Sequence, residues 1–335
     1  MMKKAILVLV ALISILILIW LADFREVFYS LKELNPKLIL TVSIMQLVTI
    51  VLINFQWYSI AKIIGAEISF KDLLHMNLVG TFVESVTPSV KAGGETAKVY
   101  TLNKKLGLSI GRATAMVSIQ KIVSIIAFAT INLISIVGFL SKVEVQGLYL
   151  KLLLTSFLFL IGVLAIIIAF MVIPDKILWI FNKLSNRKFE EKLNNFLFIF
   201  QKTIKEAIKN KKAFSQQLLL SFIIWGFFAF KAIILARGLH LDIGLFTIAI
   251  ITYITYMVAM VPLLPGGLGS FEGSMVFLLA PFGITLSRGM AFALALRFTT
   301  FWFVFFISAI YLAINTVISF ITDIKAKGLN LVIKD

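Results

Sequence analysis

Apolar runs of roughly 20 residues recur along this chain, at 5–21, 38–53 and 152–173 among others, and their length matches the hydrocarbon core of a bilayer. A segment that crosses lipid must satisfy its own backbone polar groups, and in a single chain of such runs the helix does so. Sixty per cent of the 335 residues are hydrophobic and 14% are charged, a balance that a water-soluble domain of this length would not keep in solution. The expected fold is therefore an all-α polytopic membrane protein, one integral membrane domain over residues 1–335 without a soluble catalytic domain. The first run, behind Lys3 and Lys4, resembles a signal peptide, but no small-x-small cleavage site precedes Asp23, Phe24 and Arg25, so it is read as a retained span.

The formal net charge of +16 lies mainly in the loops between apolar runs. It therefore sets topology and affinity for anionic headgroups, and nucleic acid is excluded as a partner. The absence of cysteine excludes disulfides, thiolate metal sites and cysteine nucleophiles. His75 and His240 stand alone and read as interfacial, no cluster has metal-ligand spacing, and no Walker-type loop is present, so neither metal nor cofactor is expected.

Cations at the span ends predict six crossings, near 5–21, 38–60, 113–140, 152–173, 217–236 and 290–318, with both termini cytoplasmic and the protein in the cell membrane. The basic connector 174–215 falls inside. Within it, residues 189–208 place Leu193, Phe196, Leu197, Phe200 and Ile204 at helical spacing, a face suited either to the inner membrane surface or to packing on neighbouring helices. Two segments remain, 72–103 and 242–283, each broken by a Pro- and Gly-containing turn; both read as re-entrant hairpins.

These two segments match. Pro88 and Glu95 lie 177 residues before Pro265 and Glu272, and Arg112 and Lys121 lie 176 before Arg288 and Arg297. The junction Gly65, Ala66, Glu67, Ile68 has a looser counterpart in Gly238, Leu239, His240, Leu241. The repeat covers approximately 38–140 and 217–320, and an odd number of crossings between its halves makes it inverted. Inverted repeats with broken helices place a polar site near the midplane. The first hairpin then enters from the cytoplasm and the second from outside.

The candidate binding residues follow from these turns. Pro88, Gly93 and Gly94 in the first, and Pro265, Gly266, Gly267 and Gly269 in the second, free backbone groups to face a ligand. Glu95 and Glu272 lie near the first turns of the helices that follow, where they either complement the helix dipole or serve the site. Lys121 and Arg297 stand inside apolar spans, where a cation costs about 2.5 to 3.5 kcal/mol, so both are expected to face the interior, with snorkelling to the interface as the alternative. With Lys91 and Lys98 they either pair with the glutamates or hold an anionic headgroup. Lys231 is a weaker candidate for the interior, near enough to Arg237 to snorkel, and Glu84 belongs either to the first hairpin or to a cytoplasmic loop.

The Pro-x4-Gly-Gly-Glu turn at 88–95 and the Pro-Gly-Gly-Leu-Gly-x2-Glu turn at 265–272, followed by a span bearing Arg297, resemble the lysylphosphatidylglycerol synthase transmembrane-region family over roughly 5–318. In bifunctional members, the resemblance implies, this module moves an aminoacylated phospholipid between leaflets while a separate soluble domain makes it. The chain reaches Asp335 soon after its last span, so the expectation here is translocation without lipid aminoacylation. Lys91 and Lys98 occupy places where the family leads one to expect arginine, which keeps the charge and gives up the bidentate fork.

The expected function is a lipid translocase or scramblase for an anionic or headgroup-modified lipid, with membrane lipids and a lipid-modifying enzyme as candidate partners. A small-solute carrier and an accessory subunit for a lipid-using synthase are the alternatives. No nucleophile and base pair or carboxylate dyad is recognisable, so an enzyme is not expected.

Overall fold

Helix signals in the sequence set the elements of the computed structural model, which describes residues 24–87, 92–144, 147–172, 187–261 and 267–332. The described residues are helical throughout, apart from turns. They form α1 (Phe24–Glu33), α2 (Pro36–Ile63), α3 (Phe70–Val86), α4 (Ala92–Lys104), α5 (Ile110–Leu140), α6 (Leu148–Val172), α7 (Arg187–Lys209) and α8 (Lys211–Gly238). After these come α9 (Leu245–Ala259), α10 (Ser270–Leu279), α11 (Leu286–Arg297) and α12 (Phe303–Val332).

The start and stop signals recur in the two halves. Asn35 caps α2 through its side chain, accepting from the Lys37 N–H at 2.9 Å, and Asn210 caps α8 in the same way, accepting from the Ala213 N–H at 3.1 Å. Ser109 and Thr285 cap α5 and α11 likewise. At the other end of α2, Gly65 takes a left-handed conformation with φ +65, and the Ala66 N–H reaches back to the Ala61 carbonyl at 2.8 Å. At the end of α8, His240 does the same with φ +51, and Leu241 bonds back to Ala236 at 3.0 Å. The junction expected to pair Gly65 with Gly238 therefore pairs it with His240, a shift of two residues. The physical reason is that the left-handed stop, which the residue letters do not reveal, sets the register.

Long, short, short and long helices follow one another in both halves. α2, α3, α4 and α5 start at residues 36, 70, 92 and 110, while α8, α9, α10 and α11 start at 211, 245, 270 and 286. Among the described residues five helical segments are long and apolar enough to cross a bilayer: Pro36–Ile63, Ile110–Leu140, Leu150–Ala169, Lys211–Gly238 and Leu286–Ile318. They coincide with five of the six expected spans; the first, 5–21, lies outside the described residues. The short helices, at 17, 13, 15 and 10 residues, are too short to cross alone and fall where the two hairpins are expected.

Packing sorts the side chains. α5 lies at the centre, touching α2, α4, α6, α7, α8 and α9. Apolar side chains on the outer faces stay exposed, among them Leu40, Ile44 and Val51 on α2, Leu158 and Ile166 on α6, and Ile310 and Ile314 on α12, as lipid contact requires. On α7 the expected amphipathic face exists, and it is spent on protein: Leu197, Phe200 and Ile204 are buried, and Gly111 of α5 lies so near Phe196 that a Cβ there would meet its carbonyl at 2.8 Å. The packed-connector reading holds for that face, and Phe198 on the opposite side is exposed.

α2 and α8 cross antiparallel. Lys231, late in α8, meets Gln46 early in α2, and Gln217, early in α8, donates to Ser59 late in α2 at 2.6 Å. The helices α3 and α4 approach closely enough for a Cβ on Gly94 to meet the Gly80 carbonyl at 2.7 Å, so both contact positions need glycine.

Candidate functional site

Described residues that flank the breaks in the two short-helix pairs line one cavity of about 410 Å³. Its wall takes Glu84 from α3, Glu95 and Lys98 from α4, Lys121 from α5, and Gly267 and Arg297 from the second half. Apolar side chains complete it, with Ile53 and Trp57 of α2, Trp225 and Phe228 of α8, and Phe301 and Val304 at the start of α12.

In the first half, Glu95 sits in the first turn of α4 and accepts from Lys121 Nζ at 2.9 Å and from Lys98 Nζ at 3.4 Å through its two oxygens. Lys98 also lies over the Trp57 ring, 5.3 Å from its centroid. One carboxylate thus ties α4 to α5. In the second half, Glu272 occupies the first turn of α10. One oxygen accepts from the Gly269 N–H at 2.7 Å and the other stands 3.6 Å from Arg297 Nε, an ion-pair distance. Gly269 has φ +77, a left-handed conformation that presents its N–H to that carboxylate. The Arg297 guanidinium lies between the rings of Phe271 and Phe301, 4.9 and 4.6 Å from their centroids. Glu272 is 1% exposed and Arg297 4%, so neither charge is left to water, and their pairing is what makes burial tolerable.

Directly after Arg297 the helix widens into a π turn over Phe298–Trp302. The Thr299 and Thr300 hydroxyls donate back to the Leu296 carbonyl at 3.0 and 2.7 Å, and Thr300 also shares a hydrogen bond with the Tyr256 hydroxyl at 2.9 Å. The wider turn places Thr300 and Phe301 in the cavity wall beside Arg297.

The family profile described as lysylphosphatidylglycerol synthase TM region matches residues 6–308. The chain belongs to that family. Similar to it are a UPF0104 membrane protein of Methanothermobacter thermautotrophicus, 24% identical over 90% of this chain and 92% of the relative, and one of Methanocaldococcus jannaschii, 25% identical over 89% and 91%. A UPF0104 membrane protein of Pyrococcus horikoshii is 23% identical over 90% and 94%. Family and apolar helices together make this a multi-pass integral membrane protein of the lysylphosphatidylglycerol synthase transmembrane-region family.

Of the residues expected at the site, Glu95, Lys98, Lys121, Gly267 and Arg297 line the cavity. Gly93 and Gly94 stand behind it in the α3–α4 contact, and Gly269 and Glu272 behind it as supports of Arg297. Pro88, Lys91, Pro265 and Gly266 lie outside the described residues. Glu84 resolves to the wall of the cavity. His240 is exposed, and His75 meets Lys105 and Asn315 at 3.3 Å each, away from the cavity wall.

Of the two readings of Lys231, the interior one holds. The side chain is fully buried and its ammonium points inward to Gln46 and Thr49 of α2, because Arg237 is a turn and a half away along α8 and interface water is out of reach. Sequence reasoning also passed over the amides at the α2–α8 crossing: Gln120 donates to Gln56 at 3.1 Å, and Gln56 in turn to Ser221 at 2.7 Å. Their signal was present, since each glutamine interrupts an apolar run where an unpaired amide costs several kcal/mol.

Proposed function

We propose that this chain moves an anionic or headgroup-modified lipid from one leaflet to the other, the headgroup passing through the cavity and the tails remaining in lipid. One observation carries the reading. A cavity lined by apolar and charged side chains lies between the short helices of both halves, and the charge pairs at and behind its wall sit at matching places, Glu95 with Lys121 and Glu272 with Arg297. Charged groups in such a place serve a polar ligand better than stability, since an apolar pair of similar volume stabilises equally well or better.

The mechanism rests on an inverted repeat. Support comes from the matched helix order, from the paired Asn35 and Asn210 caps, and from the antiparallel crossing of α2 and α8. In this arrangement each short-helix pair is a re-entrant hairpin, the first opening to the cytoplasm and the second to the outside, with both chain ends cytoplasmic in the cell membrane. Alternate opening of the two hairpins exposes the cavity first to one leaflet and then to the other. Movement of this kind breaks no covalent bond and needs no catalytic group.

The test is reconstitution in liposomes holding a headgroup-labelled anionic lipid, with an impermeant quencher outside. Loss of the protected inner-leaflet pool, faster than in empty liposomes and abolished by Glu95→Ala or Arg297→Ala, is the expected result. No acceleration with several headgroups would overturn the proposal in favour of a small-solute carrier or an accessory subunit for a lipid-modifying enzyme.

A further inference from the structure

Lys231 is fully buried on α8, and its ammonium has only neutral partners: the Gln46 side-chain carbonyl, the Thr49 hydroxyl at 3.1 Å and the Phe228 ring, 4.2 Å from its centroid. Among the described residues no carboxylate lies within ion-pair distance of it. The other charges around the cavity balance in number among the described residues: Glu84, Glu95 and Glu272 against Lys98, Lys121 and Arg297. Lys231 is one positive charge more. A buried cation without a counter-charge costs several kcal/mol.

The fold does not need that charge. Gln56 holds the place on α2 that Lys231 holds on α8, 175 residues earlier, and Ser221 holds the place that Gln46 does. Gln56 reaches across to Ser221 as Lys231 reaches across to Gln46. A neutral amide therefore ties one end of the crossing and a lysine the other. Gln46 and Phe228, which both touch the ammonium, line the cavity, so the charge stands one side chain behind the wall.

We propose that Lys231 selects an anionic ligand for this cavity, one carrying a phosphate monoanion, either the phosphodiester of a lipid headgroup or free phosphate. The inference rests on the cavity being the ligand site and names the charge its ligand must have. The phosphate supplies the counter-charge that the protein withholds, one of its oxygens replacing Gln46 as acceptor when the amide turns aside. Lysine suits this task as a compact, rotatable point charge. With no ligand bound, Gln46 and Thr49 hold the ammonium in place.

The experiment is a titration of the purified protein in detergent, followed by the fluorescence of Trp57 and Trp225 in the cavity wall. Three probes are compared: short-chain phosphatidylglycerol, short-chain diacylglycerol and inorganic phosphate. Two variants are used, Lys231→Gln, which copies the amide of Gln56, and Gln46→Glu, which keeps the lysine and gives it a permanent counter-charge. Both are expected to weaken phosphatidylglycerol by at least about tenfold and diacylglycerol, which carries no phosphate, by less than about twofold. Inorganic phosphate weakened in the same way identifies a free-phosphate site; phosphatidylglycerol weakened alone identifies the lipid phosphodiester.

Equal weakening of both lipids, or no weakening of phosphatidylglycerol, overturns the inference. Should Lys231→Gln fail to fold, Gln46→Glu decides alone, since its glutamate adds an ion pair and removes no packing. Selective loss of phosphatidylglycerol binding in a protein that moves no lipid would refute translocation and leave this inference standing. Unaltered phosphatidylglycerol affinity in Lys231→Gln protein that still moves lipid would refute this inference and leave translocation standing.

Discussion

Gln56 donates to Ser221 at 2.7 Å inside the protein, across 165 residues of chain, and this bond is one of those that tie α2 to α8 where they cross. The same amide accepts from Gln120 at 3.1 Å and so links the crossing to α5. Gln56 and Ser221 are both about 1% exposed, so water cannot replace a lost partner. Gln56→Leu removes three hydrogen bonds, the third being its donation to the Gln217 carbonyl at 3.2 Å, and leaves Gln120 and Ser221 without that partner. It should lower stability by about 1–3 kcal/mol, read as a drop in the unfolding midpoint in detergent. An unchanged midpoint would mean that the crossing is held by apolar contact alone.

Glu95 and Lys121 are expected to depend on each other. Removing either charge leaves its partner partly desolvated and without that counter-charge, whereas removing both leaves neither of the two stranded, so Glu95→Gln with Lys121→Met should cost less than the sum of the single variants. The coupling expected of groups in direct contact is about 1–3 kcal/mol. A double-mutant cycle on unfolding free energy measures it, and strict additivity would show that the 2.9 Å contact carries no energy.

The parts of this architecture that were legible in the sequence were those encoded by periodicity and by cost. Apolar runs announced five spans that the described residues contain, and charges placed where lipid forbids them announced Lys121 and Arg297. Spacing alone paired Glu95 with Glu272. Direction was not legible. Lys231 sits close enough to Arg237 in sequence to suggest escape to the interface, yet which way a side chain points depends on the rotation of α8 against α2, set by partners 185 residues away. The π turn after Arg297 was hidden for a similar reason, since threonines that bond back to their own helix look like threonines in any apolar span.

Gly94 should tolerate no side chain. A Cβ there meets the Gly80 carbonyl at 2.7 Å and the Glu84 Cβ at 2.8 Å, so Gly94→Ala must push α4 away from α3 and carry Glu95 with it. Overpacking of this kind costs about 1–3 kcal/mol, and lipid movement should fall with it. Gly226→Ala is the control, because nothing lies within 4 Å of a Cβ at that helical position, and it should be neutral or stabilising by about 0.5–1 kcal/mol.

The proposed arrangement of opposed hairpins requires the α4–α5 turn and the α10–α11 turn to lie on opposite sides of the membrane, and the chain offers a clean way to test it because it has no cysteine of its own. Lys105, Ser141, Lys209 and Pro281 are all exposed at helix ends, so a single cysteine at each is available to a water-soluble reagent. With both chain ends cytoplasmic, an impermeant maleimide added to intact cells should label Ser141→Cys and Pro281→Cys. It should reach Lys105→Cys and Lys209→Cys only after the membrane is opened. The decisive comparison is Lys105 against Pro281, which end corresponding helices of the two halves. Labelling of both from one side would make the halves parallel, and a single cavity opening alternately to the two leaflets would then have no structural basis.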